Sequence, residues 1–231
     1  MPVIYDDEFG KITIRRSARS SQIRVRVAPD GSLRASMPLY APIFLVKRLV
    51  KNSRPELREI IQRSYKPGNY SNGTSIGKSH RLVVRHADDG KLAVRRYNQE
   101  IILHLPLGVN VDDPDVTKQL TSAVISALRV EAKSYLPKRL MFLANKHGLK
   151  YRRVRFSHAS GRWGSCSSNG TVSLNIALMK LPFELIDYVI IHELVHTIHM
   201  NHSRDFWALV AKADPDFKAH RKLLKQESPS I

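Results

Sequence analysis

The stretch IDYVIIHELVHTIHMNHSRDFW, residues 186–207, places four of the chain's ten histidines within eleven positions of a largely apolar run. His192 and His196 are four residues apart. On a helix they lie about 40° apart around the axis and one turn apart along it, so both imidazoles can reach one ion. Glu193 projects beside the pair, where a carboxylate can hold and deprotonate a water on the metal instead of binding the metal itself. That is the HExxH logic of zinc hydrolases: two neutral imidazoles, a third ligand and an open position for water. Ile186, Tyr188, Val189, Ile190, Leu194, Val195 and Ile198 make the segment apolar around most of its circumference, so the helix is expected to run through a core. Burying two imidazoles and a carboxylate there without partners is costly. A metal ion removes that difficulty.

The third ligand has two local candidates. His199 stays on the same face as His192, but about 10 Å of helix rise separates them. His202 lies six residues beyond His196 and points away on a continuous helix, so it reaches the ion only if the helix stops first. Asn201 suits a left-handed helix terminus, and Ser203 suits the N-cap of a new helix, RDFWALVAKA. His202 is therefore the favoured ligand. His199 is left beside the site, supporting a ligand or facing substrate, and Phe206 and Trp207 are expected to pack the new helix behind it.

Outward from this segment, the patterning is mixed. KITIRR, QIRVRVA and SLRASMP alternate with period two, with Asp30-Gly31 as a hairpin signal between the last two. After Pro42 the spacing becomes helical, interrupted before Pro55. Residues 66–79, rich in Gly, Ser and Asn, read as a loop. Strands resume with HRLVVRH, KLAVRRY and EIILHLP, the first two joined by Asp89-Gly90. A long helical pattern runs from Asp112 to Gly148, with Pro137 expected to kink or split it. RRVRFS, a Gly/Ser-rich turn region and TVSLNIA precede the histidine segment, and the remainder reads helical. No internal repeat is visible. The expectation is an α+β fold with a β-rich region, residues 1–111, holding one helix, and a helical catalytic region, 112–231; one shared core is the alternative.

Composition narrows the partners. The 231 residues carry 38 Lys and Arg against 20 Asp and Glu, a formal net charge of +18, which attracts polyanions. The basic stretches are scattered, with Arg24, Arg26, Arg95 and Arg96 on expected exposed strands or turns. No helix-turn-helix, zinc-finger or RRM signature accompanies them, so nucleic-acid contact, if made, would be non-specific. The single cysteine, Cys166, excludes an internal disulfide and suits a reducing compartment. No signal-like or bilayer-length apolar segment is present. A soluble, cytoplasmic protein is expected, with no membrane partner; its oligomeric state is not legible.

RWGSCSSNGTVSLN, followed by DYVIIHELVHTIHMNHSRDFW, resembles the YgjP-like family of metal-dependent hydrolases, related to the WLM and SprT-type metallopeptidases of the zincin group. PDGSLRASMP matches that family's opening, so the resemblance spans nearly the whole chain. It implies a zincin-like core, one zinc ion, His192, His196 and His202 as ligands, Glu193 as catalytic base, and a peptide or protein substrate. The metzincins share the histidine spacing, but their turn glycine would fall at His199, which argues against a true metzincin. In zincin-type peptidases an edge strand before the metal helix pairs with extended substrate. Trp163 would then line the cleft and Arg162 steady an oxyanion. The plainer reading is a packed hairpin with Trp163 buried and Arg162 on a carboxylate. Cys166 reads as a small buried residue, or as a thiolate near the metal. Two competing functions stand beside a zinc metallopeptidase: a metal-dependent nucleoside triphosphate pyrophosphatase, and a non-enzymatic basic nucleic-acid adaptor with structural zinc.

Overall fold

The computed structural model describes residues 2–18, 20–28, 32–64, 70–87 and 90–231, and the chain forms two compact units, Met1–Asn69 and Tyr70–Ile231. The division falls at residue 69/70, whereas the sequence pattern placed it near 111. Strands of the 70–111 segment share a hydrophobic core with the helices that follow, so the composition change near 111 is not a structural boundary.

In the first unit, β1 (Val3–Asp6), β2 (Gly10–Arg16), β3 (Arg24–Val27) and β4 (Leu33–Met37) form one sheet in the order β1-β2-β4-β3. Alternation buries Ile12 and Ile14 on one face of β2 and leaves Arg24 and Arg26 exposed on β3. Helices α1 (Phe44–Asn52) and α2 (Arg54–Ser64) break at Ser53, ahead of Pro55. Val46, Val50 and Leu57 pack with Ile12, Ile14, Leu33 and Met37. The Asp30-Gly31 turn lies outside the described residues.

The second unit opens with β5 (Ser75–Ile76), β6 (His80–Ala87), β7 (Ala93–Tyr97) and β8 (Glu100–Pro106), in the order β5-β6-β8-β7. Sequential strands β6 and β7 do not pair. Instead β8 lies between them, parallel to β6 and antiparallel to β7. Asp89 of the Asp89-Gly90 connection lies outside the described residues. The first sheet has the same plan: an antiparallel, then a parallel, then an antiparallel pairing, with the last strand in sequence inserted inside. The fold therefore contains a repeated strand topology that the sequence does not display.

Helix α3 (Pro114–His147) starts with proline in its first turn and ends at Gly148 in the left-handed region, φ 67°. It is continuous through Pro137. The carbonyl that Pro137 cannot bond belongs to Lys133, an exposed position where water can satisfy it. Glu131 of α3 binds the turn between β5 and β6, accepting hydrogen bonds from the backbone of Lys78, Ser79 and His80, the Ser79 hydroxyl and His80 Nδ1. A third sheet, β10-β11-β9, comprises β9 (Arg153–Ser157), β10 (Gly164–Cys166) and β11 (Thr171–Asn175). A 3-10 turn (Ile176–Lys180) leads into α4 (Phe183–Val195), α5 (Arg204–Ala213) and α6 (Phe217–Leu224). Arg139 of α3 donates to both carboxylate oxygens of Asp187 on α4, at 2.7 and 2.5 Å. The architecture is α+β, and among the described residues no helix is long and apolar enough to cross a membrane.

Candidate active site

Burial all around α4 fixes His192 and Glu193 within the core of the second unit. The helix ends at Val195, earlier than expected. Thr197 donates its hydroxyl to the Leu194 carbonyl at 2.7 Å, and the amides of Ile198 and His199 both bond the Val195 carbonyl. Asn201 is not in the left-handed region, so it does not end the helix. The chain then reverses into α5. Ser203 is the N-cap there, its hydroxyl accepting from the Phe206 amide at 3.3 Å.

This reversal brings three imidazoles together. One nitrogen from each of His192, His196 and His202 lies within 4.8 Å of the others, and the Nε2 atoms of His192 and His202 are 3.1 Å apart. Such a set can hold a metal ion. His196 Nδ1 lies 2.9 Å from the carbonyl oxygen of His199. That oxygen can only accept, so Nδ1 carries the proton and Nε2 keeps its lone pair free for a metal. His199 thus serves through its backbone, and its side chain is not in the cluster. Phe206, fully buried, lies under all three rings at centroid distances of 4.6–5.0 Å. Trp207 stacks on His202 at 5.6 Å.

The electrostatics favour neutral imidazoles. Burial, with the positive fields of His196, His202 and Arg221 adding to it, drives His192 down to about 3. Glu193 is 6% exposed, and burial raises its carboxyl to about 8, opposed by the charge of Arg162. Glu193 Oε2 and His192 Nδ1 are buried polar atoms without hydrogen-bond partners. An unpartnered buried carboxyl oxygen beside three convergent imidazoles suits a site built for an ion and a polar reactant.

Strand β10 lies at the edge of its sheet and packs on α4. A methyl group at Gly164 would stand 2.7 Å from both Cγ and Oε1 of Glu193, so a larger residue here would push the Glu193 side chain aside. Arg162 is exposed, and Trp163 is half-buried against the core. Their loop is held by Asn175, whose Nδ2 donates to the carbonyls of Ala159 (2.7 Å) and Arg162 (2.9 Å), while its amide bonds the Trp163 carbonyl. Cys166 is half-buried on β10; burial and the neighbouring Glu193 raise its thiol, which disfavours a reactive thiolate. Gly164 and Asn175 were not singled out from the sequence, although both lie in the RWGSCSSNGTVSLN stretch. A cavity of about 1010 Å³ lies elsewhere. It is lined by residues such as Lys78, His80 and Arg81 around the Glu131 clasp, and contains none of the clustered histidines.

The family model described as YgjP-like, metallopeptidase domain, matches residues 21–227. Among solved structures, the chain is similar to the metallopeptidase zymogen of Pyrococcus abyssi, abylysin. The identity is 26%, covering 39% of this chain and 91% of that one, with a TM-score of 0.36. No curated protein matches the chain.

Proposed function

The chain belongs to the YgjP-like metallopeptidase family, and from that premise we propose that it hydrolyses peptide bonds with one zinc ion held by His192, His196 and His202 and with Glu193 as general base. The family implies a divalent metal and a peptide or protein substrate. The reading rests above all on one observation: three imidazole nitrogens within 4.8 Å of one another beside a buried, unpartnered carboxyl oxygen of Glu193. When bound, zinc supplies a Lewis acid that polarises the scissile carbonyl and acidifies water.

The chain's own residues do the rest. His196 is held in the tautomer that presents Nε2, and Phe206 keeps the three rings on an apolar floor. Glu193, buried next to the ligand His192, takes the proton of the attacking water and delivers it to the leaving amine. Strand β10, paired on one side with β11, offers its other edge to an extended peptide, which needs no particular side chains to bind. Arg162, at the approach to β10, steadies the oxyanion that develops on the cleaved carbonyl.

A single cysteine fits a cytoplasmic peptidase. Non-specific contact with nucleic acid would use exposed Arg24 and Arg26 on β3 and Arg95 and Arg96 on β7. Its signature would be a log–log slope of duplex DNA affinity against salt of about −0.9 per neutralised phosphate.

The decisive assay offers an unstructured protein and, in parallel, nucleoside triphosphates, each with and without a chelator. Cleavage of the protein that a chelator abolishes and zinc restores is expected. Hydrolysis of the nucleotide alone would overturn the peptidase reading.

A further inference from the structure

Trp207 borders two environments. One face of its surroundings is the histidine cluster, with His202 stacked at 5.6 Å and His192 at 5.9 Å. The same indole lines a pocket of about 500 Å³, together with Phe217, Lys218, Arg221, Lys222 and Lys225. Every charged side chain in that lining is a cation. Lys218, Arg221, Lys222 and Lys225 follow the spacing i, i+3, i+4, i+7, which gathers them on one face of α6 and its C-cap. All four are exposed, and among the described residues none forms an ion pair with a carboxylate. The nearby Asp214 is buried and is engaged by His220 Nδ1 at 2.8 Å.

Four like charges held together without an ion-pair partner repel one another, an arrangement that an anionic ligand relieves. We propose that this pocket is a subsite of the peptidase centre that takes an acidic side chain, Asp or Glu, of the substrate a few residues from the cleaved bond. The inference rests on the peptidase reading, and it adds a substrate preference to it. The position supports a peptide: the pocket adjoins the metal ligands through a single side chain, Trp207. The aromatic geometry disfavours nucleobases, because the indole is already stacked by His202 and by Phe217 at 5.6 Å and carries the Arg221 guanidinium at 4.6 Å. The pocket therefore offers charge before it offers a free indole face of the kind single-stranded nucleic acid stacks on.

The test measures binding by fluorescence anisotropy, using the Glu193→Gln protein and two labelled peptides. One carries an Asp-Glu pair and its twin carries Asn-Gln. At low ionic strength the acidic peptide is expected to bind about tenfold more tightly, and the preference should fade as salt is raised. Combining Lys218→Glu, Lys222→Glu and Lys225→Glu should bring the ratio to about one or below, and the corresponding changes to Gln should give an intermediate ratio. Trp207 and Arg221 are left in place so that the wall of the histidine cluster is kept. Equal binding of the two peptides, no binding of either, or a ratio that survives both triple variants would overturn the subsite. So would displacement of the acidic peptide by a single-stranded oligonucleotide at matched charge, which would mark a general polyanion face. Binding is read without turnover, so a failure of the peptidase reading would appear in the cleavage assay and not here.

Discussion

Glu193 and His192 titrate in opposite senses, and the difference can be measured in metal-free protein. The folded Glu193 carboxyl keeps its proton up to about 8, whereas an ordinary one releases it near 4.5. The folded state therefore binds more protons between these values, and stability falls as pH rises through that window. His192 is depressed from 6.5 to about 3, so it makes stability rise with pH across that lower range. Between about 6.5 and 8 the Glu193 slope is no longer offset by His192, and one proton contributes at most about 1.4 kcal/mol per pH unit. Denaturant unfolding at pH 6.5 and pH 8 should show this loss in metal-free protein, and Glu193→Gln should flatten it. An unchanged slope in that variant would place the titration elsewhere. The residues of this centre divide by how far their roles depend on distant chain. His192, Glu193 and His196 are legible because helical spacing alone brings them together. Gly164 is not, because its role is a close approach of β10 to a side chain 29 positions later. Gly164→Ala should displace the Glu193 carboxylate and lower kcat about a hundredfold while metal content is retained. Activity near that of the unaltered protein would show that the carboxylate has room to move.

At the scale of elements, the break between α4 and α5 determines whether His202 can join the other two histidines. The need for a break, and Ser203 as the start of α5, are both readable from local chemistry. The way α4 ends is not: it depends on Thr197 and on the carbonyls of Leu194 and Val195, not on Asn201. The Ser203 cap sets His202 just ahead of α5 and Phe206 in its first turn. Ser203→Ala should cost about 1 kcal/mol of stability, and it should also speed metal loss to a competing chelator. If stability fell while metal retention did not, His202 would be held by something other than the cap. Strands were legible from period-two alternation, but their pairing was not. In both four-stranded sheets the last strand in sequence enters between two earlier ones. Such an insertion depends on long-range contacts and leaves no periodic mark. The continuity of α3 through Pro137 was likewise hidden, since it depends on solvent at the freed carbonyl.

Over the whole molecule, the chain divides at residue 69/70, and the centre belongs entirely to the second unit. Composition points to 111 because β-rich sequence continues that far, but β8 and α3 share one core within one compact unit. The net charge of +18 is spread over both units, and the uncompensated stripe on α6 becomes visible only when Trp207 is seen beside the histidines. The central claim, that His192, His196 and His202 hold one catalytic ion, is tested most directly by the metal content of purified protein, measured by mass spectrometry against protein concentration. About one zinc per chain is expected in the unaltered protein and in Glu193→Gln, with loss of that zinc in His192→Ala, His196→Ala and His202→Ala. Full zinc occupancy in all three alanine variants, or none in the unaltered protein after zinc is supplied, would contradict it.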